Sequence, residues 1–286
     1  MISFTVAMRA NLALIVMVEC ASLGLSAQSP LTRGPARGVL VLEGGVGPNP
    51  AIDAAFVKLA GGSQSHIVLI PTASLGNDMP SEMLPEVMVF LERRMKERFG
   101  VTTVSVLHTH DRARSDSESF VAPLRRATGV WMLGGFPERL VQSFLGTRTQ
   151  RAMRDLLDRG GVVGGESAGA MIQGSWLDST DDGFTPEIRS LMQRHAIGGG
   201  FGFLAETAVF PHFDARGPDA AIRQSAAHRN QVSIGIDNEA ALVVRGDVVE
   251  VVGVGAVSLY NVKGGSPANP VVLRSGDRYD LRSGRR

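Results

Sequence analysis

Cysteine is all but missing: Cys20 is the single one among 286 residues. A lone thiol closes no internal disulfide, so the fold must hold without one. Cys20 also falls in a segment expected to be removed, which would leave the mature chain with none. That excludes thiol nucleophiles and suits an oxidising compartment, where a stray thiol is a liability. An excess of one charge is missing too. Lys and Arg number 29 against 28 Asp and Glu, a formal net charge of +1. No basic block with interleaved aromatics occurs, so nucleic-acid binding has no electrostatic footprint. The arginine-rich end, RSGDRYDLRSGRR, reads as a solvated tail. No uninterrupted apolar run reaches the roughly 20 residues that a membrane-spanning helix needs.

The longest apolar stretch comes early. Arg9 precedes ANLALIVMVECASLGL, which Glu19 interrupts, and the small-residue segment SAQS follows. A basic start, an apolar middle and a small-residue end form the layout of a secretory signal, with cleavage expected after Ala27. Glu19 argues against a permanent anchor and, directly before Cys20, against a lipoprotein site. The expectation is a removed signal over residues 1–27 and one domain over 28–286. The mature protein would be secreted or periplasmic, with no stable membrane span. Arg9 and Glu19 cancel, so its net charge stays at +1.

Beyond the leader, short apolar runs alternate with helix-length amphipathic stretches. GVLVLEGG (38–45), HIVLIPTAS (66–74), TTVSVL (102–107), GVWMLGG (129–135) and GVVGGES (161–167) read as strands, most of them ending in Gly- or Ser-rich turns. Helical spacing fills the gaps in AIDAAFVKLA, SEMLPEVMVFLERRMKERFG, PERLVQSF and TQRAMRDLLDRG. Continuously apolar strands alternating with helices predict an α/β fold whose mainly parallel sheet is covered on both faces. After residue 200 the strand-like runs crowd together, with RGD (245–247) as a hairpin turn, and predict an antiparallel C-terminal meander. Ligands of such sheets gather at the carboxyl ends of the strands. Gly44 and Gly45, Thr72 to Ser74, Gly134 and Gly135, and Ser167 should therefore converge on one edge.

Gly165-Glu166-Ser167-Ala168-Gly169 fits the G-x-S-x-G nucleophile elbow and lies, as that motif requires, between a strand and a helix. The serine needs small residues two before and two after it, so that a strained turn can expose its Oγ. The Ala168 N–H then faces a developing oxyanion, and Gly134-Gly135 is the best source of a second donor. A serine needs a base. Of six histidines, His66 starts a strand, His228 lies on a polar helix and His195 sits near a helix end. His212, in AVFPHFDARG, follows an apolar run and so stands at a strand end, where a base would serve Ser167. His108 and His110, two apart on a strand, share a face and form the only metal-site alternative. The rest of a ligand set is not evident, so neither metal nor cofactor is expected.

These residues carry a resemblance. GGESAGAMIQGS is similar to the nucleophile region of serine peptidases that include cyanophycinase and aspartyl dipeptidase (dipeptidase E). LVLEGG, IVLIPTAS, VWMLGG, GFGFLAETAVFPHF and IGIDNEAALVVRGDVVEVVG follow in that family's order, and the last is closer to cyanophycinase. The resemblance implies a class I glutamine amidotransferase-like (flavodoxin-like) fold, a peptide substrate and a homodimer. It implies Ser167 as nucleophile, His212 as base, and the Gly135 and Ala168 amides as oxyanion hole. In the dipeptidase the acid follows the serine by about fifteen residues, which lands on Asp182, with Asp181 and Asp178 nearby. The cyanophycinase segment carries an acidic pair, which makes Asp237 and Glu239 the alternatives.

The departures from the resemblance concern substrate. Cyanophycinases carry Asp-Gln before the histidine and glutamine after the paired glycines; here Phe210-Pro211 and Phe136-Pro137 stand there. Of the later arginines, Arg216 remains. Phe136, Phe210 and Arg216 are thus the expected substrate-binding residues, for a substrate unlike a multi-arginyl polymer. The function expected is an exported serine peptidase. A non-catalytic binding protein with the same fold and an α/β-hydrolase-type esterase are the alternatives.

Overall fold

Apolar runs set where the strands lie, and the glycines and polar residues after them set where they stop. The computed structural model describes residues 32–45, 47–179, 183–195 and 198–286. The expected signal over 1–27 lies outside them. The first strands are β1 (Val39–Glu43), β2 (His66–Ile70), β3 (Thr103–Val106), β4 (Gly129–Met132) and β5 (Val162–Glu166). Later come β6 (Thr207–Pro211), β7 (Val232–Ile236), β8 (Ala240–Arg245), β9 (Val248–Gly253), β10 (Val257–Tyr260), β11 (Val271–Leu273) and β12 (Arg278–Asp280). Between them run helices α1 (Pro50–Leu59), α2 (Leu84–Phe99), α3 (Arg112–Ser115), α4 (Glu118–Arg126) and α5 (Pro137–Phe144). The remaining helices are α6 (Arg148–Asp158), α7 (Ala168–Met171), α8 (Pro186–Arg194), α9 (Phe213–Arg216) and α10 (Asp219–Ala227).

An eight-stranded sheet has the order β12-β9-β8-β1-β5-β4-β2-β3. Its half from β1 to β3 is parallel, and β8, β9 and β12 join antiparallel. Val39, Val41, Ile67 and Trp131 pack with Phe56 of α1 and Met95 and Phe99 of α2 on one face. Leu40, Leu42 and Val163 pack with Leu140, Phe144, Met153 and Leu156 of α5 and α6 in the other layer. Burial on both faces is why these strands read as unbroken apolar runs.

The α/β class and its mostly parallel sheet agree with the sequence. The late strands divide differently from a simple meander: β6, β7, β10 and β11 form a second sheet of order β11-β10-β7-β6, in which β6 and β7 are parallel. The β8–β9 hairpin, turned at Gly246 (φ 57°), rejoins the large sheet, and β12 adds to it beside β9. The tail is not fully solvated either. Tyr279 of β12 is 2% exposed and donates its hydroxyl to the Lys263 carbonyl, because β12 pairs with β9.

Candidate active site

The parallel strands end where the expected residues meet. Ser167 follows β5 with φ 52° and ψ −115°, a conformation that costs a non-glycine residue about 1–3 kcal/mol. Its N–H donates to the Glu43 carbonyl at 3.0 Å, extending the β1–β5 ladder by one bond. Its carbonyl accepts from Ala170 and Met171 N–H at 2.9 Å each, opening α7. The small neighbours are obligatory by distance. A Cβ on Gly165 would lie 2.6 Å from Gly169 backbone atoms, and one on Gly169 would lie 2.2 Å from the Met132 carbonyl oxygen.

His212 comes from the second sheet, at the end of β6, in the left-handed region (φ 54°, ψ 38°). Its N–H donates to the Gly44 carbonyl at 3.2 Å, tying the two sheets together at this edge. A Cβ on Gly45 would lie 2.5 Å from His212 Cε1, so the Gly44-Gly45 turn makes room for the ring. His212 Nε2 lies 2.8 Å from Ser167 Oγ, and its Nδ1 lies 2.7 Å from Asn238 Oδ1. An amide oxygen only accepts, so Nδ1 carries the proton. Nε2 of the neutral ring is then left to accept from the serine hydroxyl.

The group at Nδ1 is therefore an amide and not the carboxylate expected at Asp182. Asp181 and Asp182 lie outside the described residues. Asp178 lines the cleft beside Ser167 and is not the partner of His212. Asp237 Oδ2 instead accepts from Ala256 N–H at 3.0 Å, and Asp214 Oδ1 accepts from Asn238 N–H at 3.0 Å. Sequence reasoning passed over Asn238 because it looked only for acids, although the residue stands between the two acids singled out in GIDNEAA.

A cleft of about 410 Å³ opens over Ser167. Gly135, Phe136, Phe184, Phe210, Phe213 and Arg216 are among its lining residues, with Glu138 and Asp178 also present. Phe136 is 54% exposed and lies under the Arg139 guanidinium, 4.4 Å from carbon to ring centre. Among the described residues, neither the Gly135 nor the Ala168 N–H donates a hydrogen bond within the protein. His108 and His110 lie elsewhere. His108 Nδ1 is 3.1 Å from Thr72 Oγ1, and His110 Nε2 donates to the Leu75 carbonyl at 2.8 Å. Burial first, then His110 and Arg114, push the His108 ring down to about 4. Among the described residues no group of three or more His, Cys, Asp or Glu could hold a metal ion, and no helix is long and apolar enough to cross a membrane.

A strand-end serine bonded to a histidine, over an open cleft in an α/β fold, is the layout of a nucleophile-elbow hydrolase. Residues 40–252 match Peptidase family S51, and the chain belongs to that family. It is 28% identical over 247 residues to a cyanophycinase of Synechococcus elongatus, spanning 80% of this chain and 73% of the relative. A cyanophycinase of Geminocystis herdmanii is 26% identical over 247 residues, spanning 80% and 87%. A crystal structure of a peptidase from an acI-B1 actinobacterium superposes with TM-score 0.65 at 25% identity, covering 86% of this chain and 98% of that one. A putative peptidase E protein of Listeria monocytogenes shares the fold at TM-score 0.52 and 18% identity, covering 76% and 98%.

Proposed function

We propose that this member of the family is a serine peptidase working through an acyl-enzyme on Ser167. One observation carries the reading: the continuous chain Ser167 Oγ–His212 Nε2 and His212 Nδ1–Asn238 Oδ1, at 2.8 and 2.7 Å. His212 takes the serine proton as Oγ attacks the peptide carbonyl, and later gives it to the leaving amine; water then releases the acyl group by the reverse sequence. The Gly135 and Ala168 N–H groups serve the tetrahedral oxyanion. Asn238 fixes the tautomer and the ring plane. Being neutral, it adds no charge to offset the imidazolium, unlike the aspartate of a Ser-His-Asp triad.

The substrate side of the cleft is apolar beside the nucleophile. Phe136, Phe210 and Pro211 offer no side-chain acceptors, and leaving a guanidinium against them would forfeit its hydrogen bonds. Arg216 is exposed at the rim and pairs with a substrate carboxylate. The reading is a short peptide with an apolar or acidic end. Reaction with a fluorophosphonate, compared between the wild type and Ser167→Ala, tests the mechanism. A dipeptide library tests the substrate. Export belongs to the same proposal, on the layout of residues 1–27, and amino-terminal sequencing that finds Gln28 first would support it; Met1 on the abundant form would overturn it.

A further inference from the structure

The layer behind the nucleophile elbow is charged and buried. Glu43 ends β1 and Glu166 ends β5, and the two are register partners on parallel neighbours, so their side chains leave the sheet on one face. That face is covered by α1, which contributes Asp53, and by α2, which contributes Arg98. Arg98 Nη2 lies 2.8 Å from Asp53 Oδ1 and 3.6 Å from Glu43 Oε2, while Nη1 lies 3.1 Å from Glu166 Oε2. The guanidinium also sits over the Phe99 and Trp131 rings at 5.2 and 5.3 Å. Side-chain exposure is 10% for Arg98, 8% for Asp53, 17% for Glu166 and 0% for Glu43. Burial and the Glu166 charge push the Glu43 carboxyl up to about 8. One retained proton there leaves the guanidinium to Asp53 and Glu166.

A buried ion pair is weak evidence for stability, since desolvation offsets its attraction. Position in the chain gives this one another use. Glu166 directly precedes Ser167, whose strained backbone persists only if its surroundings over-determine it. The Glu43 carbonyl holds the serine from the strand side, and the α7 amides hold it from the helix side. The Glu166 side chain is a third tether, on the opposite face of the sheet from α7. Its described anchor is Arg98, itself fixed by Asp53 and two ring faces.

We propose that Arg98 is a positioning residue for Ser167, acting through Glu166, an inference that rests on the serine-nucleophile reading above. Arg98 never touches the substrate; it sets the angle at which the elbow presents Oγ to His212. Glu166→Ala cuts the tether, whereas Glu166→Gln keeps an oxygen for the Arg98 Nη1–H. Saturation kinetics of fluorophosphonate inactivation separate reagent binding from the maximal labelling rate. Glu166→Ala is expected to bind the reagent as the wild type does and to label ~10- to 100-fold more slowly, the scale of a small misplacement of a reacting group. Glu166→Gln should label close to the wild-type rate. If Glu166→Ala does not fold, Arg98→Lys replaces it, losing the planar fork but not the charge. A tenfold loss there supports the proposal. A wild-type maximal rate in Glu166→Ala or Arg98→Lys overturns it, as does Glu166→Gln labelling as slowly as Glu166→Ala. Absence of label on Ser167 in the wild type removes the serine reading and this proposal together, and is thereby told apart from failure of the tether alone.

Discussion

Replacing Asn238 by leucine removes the acceptor at His212 Nδ1 while keeping the side-chain volume. In the resting enzyme that 2.7 Å bond is neutral and contributes about 1 kcal/mol. In the proposed acylation step Nε2 takes the serine proton, so the same N–H would then belong to an imidazolium, and a charged bond contributes roughly 1.5–3 kcal/mol. Only the difference, about 0.5–2 kcal/mol, accelerates acylation, because interactions equal in both states do not. That is roughly 2- to 30-fold. A freed ring also rotates and takes the other tautomer, so the total loss in kcat should be about ten- to a hundredfold. Asn238→Asp keeps the acceptor and adds a charge that holds the proton on the ring. Turnover should survive. The assay is hydrolysis of a chromogenic short peptide or ester across pH 5 to 9. Wild-type kcat in Asn238→Leu, together with a dead Asp182→Asn, would refute the reasoning and return the third role to the 178–182 segment.

Gly45→Ala should lower turnover at least about tenfold with the fold retained, because its Cβ would sit 2.5 Å from His212 Cε1; steady-state kinetics and circular dichroism check both halves. Stability should fall as pH rises from the ordinary Glu43 value of 4.5 to about 8, by at most about 1.4 kcal/mol per pH unit. The sign follows from the buried acid: the folded chain holds a proton that the unfolded chain releases, so folding is favoured below that window. Urea denaturation at several pH values should show a flatter profile for Glu43→Gln, and an unchanged slope would contradict the assignment. A multi-arginyl aspartate polymer should be cleaved poorly and short apolar-ended peptides better; efficient release of β-aspartyl-arginine would show that other residues rebuild the missing contacts.

Much of the fold was legible because its physical requirements are local. β1, β2, β4 and β5 are buried on both faces, so their sequences are unbroken apolar runs, and the helices between them keep their spacing. Ser167 was legible because the elbow admits only small residues at 165 and 169, and His212 because it follows a strand. Division of the late strands into two sheets was not, since β7 and β8 look alike as short apolar runs while pairing with different neighbours. Asn238 stayed hidden because an amide carries no acid–base signature. Its neighbours Asp237 and Asp214 spend their carboxylates on backbone N–H groups of Ala256 and Asn238. The Arg98 cluster draws one side chain each from β1, α1, α2 and β5, a convergence that no spacing along the chain encodes.

The proposed catalysis depends on Ser167 being the nucleophile activated by His212. Intact-mass and peptide mass spectrometry after incubation with a fluorophosphonate tests it most directly. One adduct per chain is expected, on Ser167, absent in Ser167→Ala and strongly slowed in His212→Ala. An unlabelled wild-type protein that is fully folded, or an adduct that persists in Ser167→Ala, would contradict it.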